Sequence, residues 1–170
     1  MEELLSKVMW RQYGAVIQML RNAIEACPAE VWDAEDESPS FPHLAYHTMF
    51  FIDFYGGDSP EMLKAFKHQD FAAKSDTDLS KPPSKAFSKE ELLGYLDFAE
   101  EKNLGIIESF DAEDFARPCA FEWKQVENVL ELRFETLRHL NHHVGQLHYI
   151  LHRETGSAPG WLDQITQTGK

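Results

Sequence analysis

The stretch VENVLELRFETLRHLNHHVGQLHYILHRETG, residues 126–156, is the most informative part of this chain for its fold. Its apolar residues recur at intervals of three and four, which is the period of an amphipathic helix. Gly156 follows the last apolar residue as a helix-ending glycine would. We therefore predict a long helix over roughly Val126–Glu154. Its apolar arc comprises Leu130, Phe134, Leu137, Leu140, Val144, Leu147 and Leu151.

Three earlier segments have the same period. The first is stopped near Pro28, and the second runs from about residues 38–42 to Gly56-Gly57. The third opens with the capping-box pattern of residues 88–91. A polar stretch before Phe87, with room for a short helix after Pro60, separates the second from the third. The sequence predicts an all-α fold: a single domain over residues 1–170, folded as an up-and-down four-helix bundle with a longer crossover between helices 2 and 3.

Composition narrows the classes of partner. The net charge of −13, with only 16 lysines and arginines, disfavours nucleic acid and anionic membranes as partners. No apolar run approaches the length of a transmembrane helix, and the amino-terminal segment lacks the features of a signal peptide. The two cysteines, Cys27 and Cys119, have no CxxC spacing. Two lone thiols without a secretion signal indicate a cytoplasmic protein.

Histidines fall on the apolar face of the second helix. A rotation of about 100° per residue places the following residues on one arc: His43, Leu44, His47, Phe50, Phe51 and Phe54. His47 lies near the middle of this arc. An imidazole buried without a partner costs about 1–3 kcal/mol, so His47 is either a hydrogen-bonded core residue or a ligand. The pattern alone leaves both readings open.

The fourth helix contains five histidines, four of which form two pairs. His139 and His143 are spaced by four, as are His148 and His152, and this spacing lets two imidazoles share one metal ion. The two pairs lie near opposite edges of the apolar arc. The neighbouring apolar residues favour His139 and His143 as the metal-binding pair. The alternative for both pairs is that their side chains are solvated and bind nothing.

Two motifs resemble those of a known family. The segment HLNHHVGQLHYIL, residues 139–151, preceded by Arg138 and followed by ETGSAPGWL, resembles the last-helix signature of the DinB/YfiT-like superfamily. The segment HLAYHTMFFIDFYGG, residues 43–57, resembles the second-helix motif of that family. The resemblance implies a four-helix bundle that binds one divalent metal through three histidines, here His47, His139 and His143. Where the family usually has a basic residue after the last of these, this chain has Val144.

Such a site suits catalysis. Three neutral imidazoles without a thiolate leave coordination positions open, as in catalytic rather than structural sites. Zn²⁺ or Ni²⁺ would suit these ligands, and such an ion lowers the pKa of a bound water or thiol. Asn141 and Gln146 are near in sequence, but the pattern assigns neither to the support of a ligand.

Three classes of function remain open at this point. The first is a metal-dependent enzyme, for which the resemblance implies a hydrolase or a thiol S-transferase. The second is a non-catalytic metal-binding or stress-related module, and the third is a bundle whose histidines bind nothing. The resemblance also implies a homodimer. Aromatic residues outside the main arc of the second helix, such as Tyr46 and Phe121, are suggested as its contacts. The sequence leaves open the substrate, the native metal, and the roles of His43, His68, His142, His148 and His152.

Overall fold

The computed structural model of the protein describes residues 2–34, 39–57 and 74–165. This part of the chain is mostly helical and contains no strand, so the predicted all-α fold is confirmed. The helix predicted after Pro60 lies outside the described residues. No helix within these ranges is long and apolar enough to cross a membrane. The elements are α1 (Glu2–Ala26), α2 (Ala29–Trp32), α3 (Phe41–Gly56), a 3-10 helix (Lys74–Thr77), α4 (Lys89–Ser109), α5 (Ala112–Ala116) and α6 (Val129–Thr155).

Local capping interactions determine where the long helices begin and end. The predicted capping box opens α4, because Ser88 Oγ accepts from the backbone N–H of Glu91 and the Glu91 carboxylate accepts from the N–H of Ser88. The last helix, α6, begins three residues later than Val126. Its first turn is capped by Asn128, whose Oδ1 accepts from Glu131 N at 2.9 Å. It ends at Gly156, which has a φ of 79°.

The four long helices pack in a ring, in which α1 and α3 each contact both α4 and α6. Helices α1 and α3 have few contacts with each other. Near the end of α1, the carbonyl of Cys27 accepts from Lys89 at the start of α4. Near its beginning, Ser6 Oγ donates to the carbonyl of Phe110, just after α4. Helices α1 and α4 are therefore antiparallel.

Helix α3 runs parallel to α4 and antiparallel to α6. Along α3, Tyr46 contacts Tyr95 and Asp53 pairs with Lys102, so positions in both helices increase together. These helix directions differ from the predicted up-and-down arrangement, in which consecutive long helices are antiparallel. The connection over residues 57–88 therefore joins opposite ends of two parallel helices.

A buried arginine fixes the contact between α3 and α6. Arg133 is fully buried, whereas the adjacent Phe134, predicted to face the core, is 58% exposed. The guanidinium donates to the carbonyl of Gly56 at 2.7 Å and to that of Tyr55 at 3.2 Å. Carbonyls at the end of a helix lack intrahelical donors and carry partial negative charge, so they favour a cation there. Arg133 therefore takes the inward position and Phe134 faces outward.

The two residues suggested as dimer contacts lie in the core instead. Tyr46 is fully buried and stacks on Phe87, with ring centroids 4.4 Å apart. Phe121 is 1% exposed and packs against the rings of Phe54 and Tyr55. That suggestion is wrong, because packing within the chain already covers both rings.

Candidate metal centre

The three histidines singled out by the sequence lie together between α3 and α6. The Nε2 atom of His139 is 2.9 Å from Nε2 of His143 and 3.3 Å from Nε2 of His47. His143 is buried, and the other two are half-buried. Within the described ranges, this is the one group of three histidine, cysteine, aspartate or glutamate residues close enough to share an ion.

The separations between these nitrogens fit a shared metal ion. Two nitrogens bound to one Zn²⁺ at about 2.0–2.2 Å, with an angle of about 90–110° between them, lie about 2.8–3.6 Å apart. Both measured separations, 2.9 and 3.3 Å, fall in this range. All three ligand atoms lie within 4.8 Å of one another, so the group could hold one ion.

Hydrogen bonds at the opposite ring nitrogens fix the tautomers of two of these residues. Nδ1 of His47 lies 2.7 Å from the carbonyl oxygen of Thr77, and Nδ1 of His143 lies 2.7 Å from Oε1 of Gln146. Both oxygens are acceptors, so each Nδ1 carries the proton and each neutral ring presents a lone pair at Nε2. A proton on Nε2 of His139 would satisfy at most one of these two lone pairs. A cation bound at the centre satisfies all three rings.

The rings are held in the neutral form that metal binding requires. Burial, opposed in part by the hydrogen bond to Thr77, lowers the pKa of His47 to about 4. Burial, followed by the charges of the neighbouring imidazoles and of Lys124, lowers the pKa of His139 to about 3. Burial also lowers the pKa of His143. At neutral pH all three nitrogens are therefore available as ligands.

The 3-10 helix supports α3 through two histidines. One turn before His47, Nε2 of the buried His43 donates to the carbonyl of Asp76 at 2.8 Å. The next carbonyl along the chain is the one that holds His47. The Asp76 carboxylate in turn accepts from the backbone N–H and the hydroxyl of Ser84. His43 is therefore a structural residue, and it helps to position the carbonyl of Thr77.

The remaining histidines lie apart from the centre. His148 donates from Nε2 to the carbonyl of Met19 on α1, 3.3 Å away, and His152 is exposed. His142 is also exposed, and its ring contacts that of His143. His68 lies outside the described residues. The structure thus brings together the predicted triad, and neither His148 nor His152 belongs to that group.

The two residues that orient the ligands were not assigned from the sequence. Thr77 acts through its backbone carbonyl, for which side-chain patterns give no signal. Gln146 follows His143 by three, a spacing that places both on one side of a helix and would have identified it. Asn141 instead donates to the carbonyl of Leu137 within α6.

Comparison with known proteins identifies the family. The family model described as the DinB superfamily matches residues 12–147, which is well over half of the chain. No curated protein matches the chain. The chain belongs to the DinB superfamily.

Proposed function

We propose that this member of the DinB superfamily is a metal-dependent protein, in which the Nε2 atoms of His47, His139 and His143 hold one divalent ion. The observation that carries the proposal is the convergence of three Nε2 atoms. The acceptors at Nδ1 of His47 and His143 support it, because they direct a lone pair of each ring toward the centre.

The ligand set favours Zn²⁺ or Ni²⁺. Imidazole nitrogens suit both ions, and three protein ligands are the number found in catalytic zinc sites. When bound, such an ion would supply Lewis acidity, lowering the pKa of a coordinated water or thiol and polarising a carbonyl. The protein contributes three fixed neutral donors and a partly desolvated site against the edge of Phe51, whose ring contacts those of His47 and His139.

The reaction that we propose is hydrolysis of a small molecule or transfer of a low-molecular-weight thiol to an electrophile. Both reactions need a nucleophile with a lowered pKa, which an open three-histidine site favours. The alternative is a metal-binding or stress-related module without turnover. Turnover of a substrate by the metal-loaded protein, lost in a His143→Ala variant that still folds, separates the enzyme from the module.

The wider architecture and setting are also proposals. We propose that the four long helices form the predicted four-helix bundle, with residues 57–88 as its crossover, and that the protein is cytoplasmic and dimeric. The dimer is supported by apolar side chains on the outer faces of α1 and α6: Leu4, Val8 and Phe134 are 63%, 44% and 58% exposed. Sedimentation at micromolar concentration tests the dimer, and a monomer there would contradict it.

The direct test of the metal site is elemental analysis of protein purified without an affinity tag or added metal. One equivalent of a divalent transition metal is expected in the wild type and none in His143→Ala. Free metal at about a hundredfold above Kd should also raise the free energy of unfolding of the wild type by about 2.7 kcal/mol. Metal absent from the wild type, even after reconstitution, would refute the proposal.

A further inference from the structure

An aromatic floor extends from the metal centre along the groove between α3 and α6. The ring centroid of Phe51 lies 4.8 Å from that of His47 and 5.1 Å from that of His139. One turn further along α3, Tyr55 stacks on Phe51 at 5.4 Å. On the facing helix, Glu135 lies four residues before His139, which is about 6 Å along the axis. The floor therefore leads from the triad toward Tyr55 and Glu135.

A lysine stands at the far end of this floor. The Nζ atom of Lys124 lies 2.7 Å from Oε2 of Glu135 and 4.1 Å from the ring centroid of Tyr55. The side chains of Lys124 and Glu135 are only 18% and 25% exposed, so both charges are partly desolvated.

Backbone hydrogen bonds fix the conformation of the loop that carries Lys124. Backbone hydrogen bonds close the base of the loop, from Cys119 N to the carbonyl of Glu127 at 3.1 Å and from Val129 N to the carbonyl of Arg117 at 3.0 Å. Inside the loop, the N–H of Lys124 donates to the carbonyl of Phe121 at 2.8 Å. The ammonium is therefore presented by a fixed backbone rather than by a free surface chain.

The residue before Lys124 joins the loop to the aromatic floor. The indole N–H of Trp123 donates to the Tyr55 hydroxyl at 3.2 Å. Trp123 is 54% exposed, so part of its ring faces solvent. The loop, α3 and α6 thus meet at one end of the groove.

The charges in this groove favour an anionic ligand. Three neutral imidazoles leave both positive charges of a divalent ion uncompensated, and Lys124 adds a third that Glu135 offsets. An ammonium has three N–H donors, and the ion pair with Glu135 uses one of them. A carboxylate entering along the floor could therefore share the ammonium with Glu135 while its other end reaches the centre.

We propose that Lys124 is a specificity-determining residue, which binds the carboxylate of a small substrate whose metal-binding atom lies about one helical turn away at the triad. The proposal rests on the metal site of the proposed function. Glu135 is a positioning residue: it holds the Lys124 ammonium at the end of the aromatic floor. It also competes with the carboxylate of the substrate for that ammonium.

The test uses the Co²⁺-loaded protein and a matched pair of thiols, 3-mercaptopropionate and its neutral analogue 3-mercaptopropionamide. Binding is followed by thiolate-to-cobalt charge-transfer absorption, with metal content measured in every sample. The wild type is expected to bind the carboxylate thiol about tenfold more tightly than the amide. Lys124→Gln should remove this preference and leave binding of the amide unchanged.

The control variant is Lys85→Gln, which removes the same charge from a half-exposed lysine paired with Glu91 outside the triad and its groove. It should keep the preference of the wild type. Glu135→Gln removes the competing carboxylate, so it should increase the preference severalfold. This second variant tests the proposal even where Lys124→Gln does not fold.

The outcomes separate this inference from the metal site itself. A preference that persists in Lys124→Gln, or a loaded wild type that binds both thiols equally, overturns the inference and leaves the metal site intact. A wild type that retains no cobalt overturns the proposed function, and the inference with it.

Discussion

Gln146 holds the ring of His143 from one turn later on the same helix, with its Oε1 atom 2.7 Å from Nδ1. The side chain of an exposed residue thus determines the orientation of the buried His143 ring. The acceptor keeps the proton on Nδ1 and the lone pair on Nε2, where the other two imidazoles converge.

Removing this acceptor should weaken metal binding without removing it. For Gln146→Ala we expect the Kd for Zn²⁺ to rise at least about tenfold, because the ring loses both its orientation and its fixed tautomer. Gln146→Glu should restore or exceed the affinity of the wild type, since a carboxylate is a stronger acceptor. Competition with a chromophoric chelator measures both values.

Asn141→Ala is the matched control for this experiment. It removes an amide from the same helix whose hydrogen bond goes to the carbonyl of Leu137 rather than to a ligand. Equal affinity losses in the Gln146→Ala and Asn141→Ala variants would show that the effect comes from the helix and not from His143.

Each residue of the triad should be required for stoichiometric metal, and the other pair should not. Replacing His47, His139 or His143 by alanine removes one of only three protein ligands, so metal content should fall from one equivalent to near zero. Replacing His148 or His152 should leave it at one, because neither residue reaches the centre. Elemental analysis after gel filtration measures the metal content of each variant. Loss of metal in the His148 and His152 variants alone would place the site on the other edge of α6.

The metal-free protein should lose stability as the pH falls from about 6.5 to about 4. The pKa of His47 is lowered from 6.5 to about 4 in the folded protein, so in this window the unfolded chain binds a proton that the folded chain does not. His139, with a pKa of about 3, acts in the same direction. Above pH 6.5 neither group contributes to the dependence.

Chemical denaturation at several pH values, in the presence of a chelator, measures this slope. His139→Leu removes one of the groups with a lowered pKa, and its free energy of unfolding should therefore fall less steeply over the same window. An identical slope in the wild type and this variant would mean that other groups cause the dependence.

Arg133 should matter to stability far more than its neighbour. Arg133→Met removes the donors to the carbonyls of Tyr55 and Gly56 and leaves them buried, so we expect the free energy of unfolding to fall by about 3 kcal/mol. Arg138→Met removes the same group from an exposed neighbour on α6 and should shift the free energy of unfolding by no more than about 0.5 kcal/mol. Urea denaturation monitored by circular dichroism compares the two, and similar losses would contradict the assigned role of Arg133.

The helices and their ends were largely predictable because they depend on local signals. The capping box at Ser88 and the final Gly156 act within one turn of the chain, and each marks a helix end in the structure. The start of α6 was placed too early because Val126 is apolar and fits the helical period. That residue instead packs against the core from the preceding loop.

The inward face of α6 was predictable only in part, because an apolar pattern assigns charged residues to solvent. Arg133 contradicts that rule, since its partners are backbone carbonyls at the end of another helix. The direction of α3 relative to α4 was not predictable either. It depends on pairs such as Asp53 and Lys102, which are far apart in sequence.

The histidines of the candidate site could be predicted from the sequence, but the groups that orient them could not all be. Spacing and helix faces singled out His47 and the pair His139/His143, and the structure brings these three residues together. The carbonyl of Thr77 could not have been found in this way, because any residue at that position provides the same oxygen.

The longest connection in this fold cannot be replaced by a short turn. In an antiparallel pair of helices the intervening loop can be cut to a few residues, because the two ends already meet. Here α3 and α4 point the same way, so residues 57–88 must span the distance between opposite ends of the two helices. On the way they deliver the carbonyls of Asp76 and Thr77 to His43 and His47. An engineer seeking a smaller version of this protein would have to keep the part of this connection that carries these two carbonyls.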